Sequence, residues 1–403
     1  MKLIYQNKVL IRPETLTDFE QLGSTTKMNL SDGHATQNLS PELWDSIGNI
    51  NLIWQNAMSS SYNDVVKGFT NVYSDLACLK TLAQKHNLVV CPTASNSIDI
   101  VGAVLGEKSA RTVLVEPTFD NLALLLSRRG VPLESISDRQ FSSIQSLEDC
   151  REVFDGIALE ALFLVSPNNP TGSVISEKQM RSVAQYCAEK EIILILDNSF
   201  RLQKTYHYDD YAILHDCGVS FISIEDTGKV WPTMELKISL MTCSDDLWAN
   251  ISLIYNEIYL CASKFSLKLI ECLMRGALTH GLDFVLWNDI ATRRSFLAKA
   301  LYNSPVMPAE YEQTSTLSVS WLDISKTNLN DLSVTEFFWL NGIAVLPGRK
   351  FFWKNGHLTE NQKNIRVSLL RPTENFHKAI EHIGKLNFDN ISPTMLNKFV
   401  EGY

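Results

Sequence analysis

Between residues 85 and 245, short runs of β-branched and aliphatic residues alternate with longer stretches spaced like helices. That is the pattern of a mainly parallel α/β sheet. Six runs are predicted strands: NLVVCP (87–92), TVLVEP (112–117), ALFLVSP (161–167), IILILD (192–197), VSFISIED (219–226) and LKISLMTC (236–243). Each is apolar almost without interruption, as strands covered on both faces must be. EKQMRSVAQYCAEK (177–190) repeats its apolar residues at the i, i+3, i+4 spacing of an amphipathic crossover helix. Past about residue 290 the texture changes to helix-like stretches with shorter strands, SVSWLDI and NIRVSLL among them. The expectation is a large α/β domain over 46–290 and a smaller α+β domain over 291–403, joined by residues 1–45. A chain of 403 residues agrees, because single cores stop growing at about 250–300 residues.

Composition narrows the class. Apolar residues make up 45% and charged residues 20%, the balance of a globular protein and not of a disordered one. The net charge of −9 opposes phosphate backbones, so no nucleic-acid partner is expected. The eight cysteines are scattered without a C-x-x-C pair, which suits reduced thiols in a cytoplasmic protein. The start MKLIYQNKVLIRPE is too polar for a secretory leader, and no apolar run suggests a membrane partner. There is no G-x-G-x-x-G, no phosphate loop around GKV and no H-E-x-x-H metal spacing. YHYDD (206–210) reads as a solvated loop.

Three polar residues stand just past strand ends, where open α/β sheets collect ligands. In SPNNPTG (166–172), Pro170 and Gly172 make a turn that presents Asn169. Asp197 ends a buried strand, where an acid is costly unless it meets a donor or a cation. It could cap a helix, since Asn198 and Ser199 follow, or hold a protonated ring nitrogen. Lys229 follows the next strand, and could be a surface residue or a nucleophilic amine. The order Asn, Asp, Lys at successive strand ends favours the chemical readings.

The set NNPTG, ILILDNSF, EDTGK and IRVSL resembles the fold-type I aminotransferases, class I/II, which use pyridoxal 5′-phosphate (PLP). The resemblance implies a mainly parallel seven-stranded sheet in the large domain and an active site built across a homodimer, or a dimer of dimers. By it Lys229 would bond the cofactor covalently, Asp197 would bind its ring nitrogen and Asn169 its ring hydroxyl. Phe119 in EPTFDN would stack on the ring, and Thr93 and Ser95 of CPTAS would serve the phosphate, as loops entering helices do. Arg366 would grip the substrate carboxylate, a task suited to a guanidinium fork, although Arg371 lies close enough to be confused with it. Three positions depart from the pattern. Phe200 stands where a tyrosine commonly follows the aspartate, Lys237 where an arginine commonly binds the phosphate, and Asp226 where a small hydroxyl residue is common. An acid beside a phosphate is repelled, so Asp226 is expected to face a cation.

A narrower group fits these departures. LTDFEQL (16–22), NLSDGHATQNLSP (29–41), DNSF and IEDTGKVWP resemble the PLP-dependent L-arginine oxidases, the arginine hydroxylases and 4,5-desaturases, which use dioxygen without metal or flavin. That resemblance implies L-arginine and dioxygen as reactants. The products would be a 4,5-didehydro amino acid, or a 4-hydroxy-2-oxo acid released with hydrogen peroxide and ammonia. Asp226 and Glu20 would bind the guanidinium, His34 would be a second acid/base titrating near neutrality, and Thr17 would help the N-terminal helix close as a lid. Local alternatives stand beside each: an exposed helical charge for Glu20, a turn residue for His34, a helix cap for Thr17. Two other functions compete, an aminotransferase acting on a basic amino acid and a non-catalytic relative of the fold.

Overall fold

The computed structural model describes residues 13–233, 235–310 and 314–388. The reading of the first residues as no leader falls mostly on 1–12, outside the described residues. In chain order the strands are β1 (Met28–Asn29), β2 (Leu88–Cys91), β3 (Thr112–Glu116), β4 (Leu133–Ser137), β5 (Ala161–Val165), β6 (Ile193–Asn198), β7 (Phe221–Asp226) and β8 (Ser239–Cys243). Five more follow: β9 (Met307–Pro308), β10 (Val319–Asp323), β11 (Ile343–Ala344), β12 (Leu346–Pro347) and β13 (Asn364–Ser368). The main sheet has seven strands in the order β2-β8-β7-β6-β5-β3-β4. All its pairings are parallel except those of β8, which runs antiparallel to both β2 and β7.

Uninterrupted apolar strands follow from two cores. Ile193 and Ile195 pack into one, Leu194 and Leu196 into the other, and Ala161 and Phe163 alternate with Leu162 and Leu164 in the same way. Successive side chains point to opposite faces, so a strand with a core on each side has no polar position to spare. β4, which the hydrophobic pattern misses, is the exception. It is the outer strand beside β3, and of its residues only Ile136 is buried, so LESIS carries no continuous apolar run.

A second, antiparallel sheet, β12-β13-β10-β9, forms the smaller unit. The N-terminal helix Leu16–Gly23 packs against it, Leu16 and Phe19 joining Trp321, Leu346 and Phe351. Among the described residues no helix is long and apolar enough to cross a membrane.

The strand ends β6 and β7 are tied together beneath the site by a buried ion network. Arg201, just after β6, forks onto Glu225 of β7 at 2.8 and 2.8 Å and reaches Asp210 at 2.8 Å. The Tyr73 and Tyr211 hydroxyls donate to Glu225 at 2.7 and 2.9 Å. This overturns the solvated-loop reading of 206–210 at Tyr208 and Asp210, while Tyr206 is exposed. Asp210 is buried by its pairing with Arg201. Tyr208 is buried with its hydroxyl on the Ile175 carbonyl at 2.8 Å, and Asp209 caps the next helix. Sequence polarity misled there because Tyr208 and Asp210 have partners outside the stretch.

Removing one partner of a buried charge set leaves the others uncompensated, at a cost of about 3–5 kcal/mol. Arg201→Ala should lower stability by about that much in chemical denaturation; a loss well under about 1 kcal/mol would show the network to be unimportant.

Candidate active site

Lys229 lies in the turn after β7 with its ammonium 5.7 Å from the Phe200 ring centre. Asp197 is the penultimate residue of β6 and is buried, its Oδ1 accepting from the Ser199 amide at 2.9 Å and the Ser199 hydroxyl at 2.5 Å. It therefore caps no helix; its own strand end folds back on it. Burial raises the Asp197 carboxyl, against the two Ser199 hydrogen bonds and, more weakly, the Lys229 charge. Asn169 sits past β5 in a turn closed by the Gly172 amide on the Asn168 carbonyl at 2.7 Å. Gly172 has φ +76°, a conformation that favours glycine. The Asn169 side-chain oxygen is buried without a partner.

Asp226 is buried at the end of β7. Its Oδ1 accepts from the Gly228 amide at 2.8 Å, and burial raises its carboxyl against the opposing charges of Lys229 and Lys237. Asp226 therefore lies within the electrostatic reach of two of the chain's own ammonium groups. Thr93 and Ser95 stand at the start of the helix Ala94–Glu107. Thr93 caps it by accepting from the Asn96 amide, while the Ser95 hydroxyl accepts from Asn121 at 3.2 Å. Phe119 begins the neighbouring helix and lies edge-on to Phe351.

The stretch NLSDGHATQ is drawn across the mouth of this pocket. Ala35 donates its amide to the Gly228 carbonyl at 3.4 Å, Gln37 donates to the Val230 carbonyl at 2.9 Å, and Ser368 donates to the Leu30 carbonyl at 2.8 Å. His34 bridges two charged groups: its Nδ1 lies 2.7 Å from Asp32 Oδ1 and its Nε2 lies 2.7 Å from Lys237 Nζ. An ammonium can only donate, so Nε2 accepts and Nδ1 carries the proton toward Asp32. The Lys229 charge first, and burial second, push His34 down to about 4. This corrects the expectation that it titrates near neutrality, since the sequence places no cation beside it. Burial would raise Asp32, but His34 and the Arg371 guanidinium hold it well below the ordinary carboxylate range.

Arg366 of β13 is completely buried and lies 3.0 Å from Glu20 on the N-terminal helix; it also donates to the Ser31 carbonyl. Its Nε and Nη1 are without partners. Gly33 passes so close that a β-carbon there would sit 3.3 Å from Nη1. The structure therefore spends the Glu20 carboxylate on Arg366, where the sequence reading had it waiting for a substrate cation. Burial raises Glu20 all the same. Thr17 is half-buried on that helix, whose cap is Thr15. Arg371 serves Asp32 instead, with an ion pair at 3.6 Å.

Three contributors escaped the sequence reading. Asp32 and Ser199 each lie two residues from an expected site residue, and an acid in SDGH and a hydroxyl in DNS were the available signals. Gln203, which donates to the Lys229 carbonyl at 2.7 Å, left no signal.

Comparison with known proteins agrees with this layout. Residues 25–202 match the family model of aminotransferase class I and II. A probable aspartate/prephenate aminotransferase of Aquifex aeolicus is 35% identical over 71 residues, 18% of each chain. The first three curated relatives are matched over only 10% to 30% of their own lengths. Among solved structures, MppP soaked with the product 2-ketoarginine is 29% identical, with a TM-score of 0.80 over 88% of this chain and 98% of that one. Aspartate aminotransferase from Thermus thermophilus with maleate, at 12% identity, shares the fold alone, with a TM-score of 0.74 over 93% and 97% of the two chains. Taken with the order of the main sheet, these likenesses make the chain a PLP-dependent enzyme of the aminotransferase fold, fold type I.

Proposed function

We propose that this enzyme oxidises the side chain of free L-arginine with dioxygen, by 4,5-desaturation or by 4-hydroxylation with loss of the amine. The observation that carries this reading is the buried carboxylate of Asp226 beside the cofactor lysine. A fixed negative charge there favours a substrate with a cationic side chain. The likeness to MppP, whose structure was soaked with 2-ketoarginine, supports the same substrate class.

The pocket suits PLP. The Asn169 oxygen, buried without a partner, would meet a ring hydroxyl, and the buried Asp197 would meet a ring nitrogen. Phe119 and Phe200 supply aromatic faces, and Lys237 with the helix start at Thr93 and Ser95 supplies donors for a phosphate. When bound, the cofactor supplies an electron sink for the substrate α-carbon. Lys229 then takes the proton from that carbon. Arg366 binds the substrate carboxylate through its free Nε and Nη1, and Glu20 leaves Arg366 for the guanidinium as the N-terminal helix settles over the site with Thr17. His34, neutral and with its Nδ1 proton fixed on Asp32, accepts a side-chain proton at Nε2 once Lys237 turns to the phosphate. Closure over the pocket governs whether water reaches the oxidised side chain.

A second reading, an aminotransferase acting on a basic amino acid, draws support from the matched family model. It requires turnover that depends on an added 2-oxo acid.

Purified enzyme given L-arginine should consume oxygen in air, and mass spectrometry in oxygen-18 water should locate any hydroxyl. No oxygen uptake and no peroxide would sink the proposal. Losing a buried charged contact should make Asp226→Ala bind arginine about ten- to a hundred-fold more weakly while keeping the visible absorbance of bound cofactor. Loss of the cofactor itself would assign the acid to PLP. His34 has a second signature. Its folded value of about 4 lies below its ordinary 6.5, so the unfolded chain takes that proton first and His34 costs stability as pH falls through this window. NMR of the cofactor-free protein should show its ring titrating near 4 and moving upward in Lys229→Met; a midpoint near 6.5 in both would refute the assignment.

A further inference from the structure

The N-terminal helix Leu16–Gly23 partly caps itself. Asp18 Oδ2 accepts the Glu14 and Thr15 amides at 3.0 and 2.9 Å, and the Thr15 hydroxyl accepts the Asp18 amide at 3.1 Å. The Leu16 amide is met from outside. It donates to Asp120 Oδ2 at 2.9 Å, a residue 104 positions further along the chain. Asp120 opens the helix that follows β3, is 6% exposed, and has its other oxygen buried without a partner. Burial pushes its carboxyl up to about 6, the Leu16 amide pulls it down, and the Glu20 charge raises it again. An acid is costly in such a place, and the hydrogen bond that meets it comes from the N-terminal helix.

Asp120 belongs to a turn that also carries Phe119, the residue assigned to the cofactor ring. Glu116, at the start of that turn, accepts the Lys354 and Asn355 amides at 2.5 and 3.2 Å and the Asn355 side chain at 2.6 Å. The Thr118 amide donates to the Phe351 carbonyl at 2.9 Å. Phe119 itself packs on the cluster that Leu16 and Phe19 share with Trp321, Leu346 and Phe351. Four residues after Leu16, Glu20 lies on Arg366 at 3.0 Å. The helix is thus fastened at its start to the turn bearing the ring, and along its flank to the second sheet.

We propose that Asp120 is a positioning residue, which holds the start of this helix against the Phe119 turn and so sets how Thr17 and Glu20 reach over the lysine pocket. A carboxylate suits the task. A helix start presents unpaired N–H groups and the positive end of the dipole, and a charged acceptor bonds more strongly than a neutral one. The inference rests on the proposed function in one respect, that Thr17 and Glu20 serve the substrate. The anchorage itself is independent of what that substrate is.

Hydrogen–deuterium exchange of the PLP-loaded enzyme reads the anchorage with no substrate present. Asp120→Ala should speed exchange over residues 16–23 about ten-fold or more, with β6 and β7 unchanged. Asp120→Asn, which keeps an acceptor oxygen, should recover most of the protection. Asp120→Leu, of similar size but apolar, carries the test should the alanine variant not fold. In air with L-arginine, Asp120→Ala should raise KM about ten-fold, with a smaller change in kcat and the cofactor absorbance retained. Wild-type enzyme inert toward arginine would sink the proposed substrate, and the exchange result would then decide the anchorage alone. The inference is overturned by unchanged helix exchange in both the alanine and leucine variants, by equal loosening of the strands, by an asparagine variant as loose as alanine, or by unchanged KM in an active enzyme whose helix is loosened.

Discussion

The spacing of the whole site rests on one buried guanidinium. Arg201 binds Glu225 through two nitrogens and Asp210 through one of them, and so clamps the end of β6 to the end of β7. Asp197 lies four residues before the clamp on one strand, and Asp226 and Lys229 follow Glu225 on the other. A bidentate fork fixes both distance and angle, which a single point charge would not. Tyr73 and Tyr211 complete the partners of Glu225, so both oxygens of that acid are met in an apolar interior, and Asp210 Oδ1 is left as the network's unpartnered oxygen.

Above that clamp the chemistry is a problem of crowded charge. Asp226, Asp197 and Glu20 are all buried deeply enough for desolvation to raise them, and each is drawn back by Lys229. The same ammonium repels His34 and Lys237, holding the imidazole neutral. That charge is the leading influence on His34, whereas burial leads for Asp226, Asp197, Glu20 and Lys237. A cofactor bonded to Lys229, or a second cation brought by substrate, would redistribute all of them together. The Glu20–Arg366 pair has the same character, because each partner has a counterpart on an amino acid with a cationic side chain.

Much of the fold was legible in the order of residues. Strands β2, β3, β5, β6, β7 and β8 were visible because a strand between two cores is apolar at most positions, its few polar residues needing buried partners as Glu225 has. β4 was not, because an outer strand needs burial on few residues. Asn169, Asp197 and Lys229 could be picked out by local rules, since residues just past parallel strand ends face the ligand side of the sheet. The YHYDD stretch shows where local rules stop. It is polar, yet Tyr208 and Asp210 within it are buried, because Ile175 and Arg201 supply their partners from elsewhere in the chain.

The sequence by itself determined the sheet, its polar strand ends and the kinds of group the site would contain. Only the tertiary structure decided which groups touch. It set Glu20 on Arg366, His34 between Asp32 and Lys237, and Arg371 on Asp32. The physical reason is range. Hydrophobic periodicity is a local property of a few successive residues, whereas the state of a buried charge depends on partners that the fold brings from hundreds of residues away.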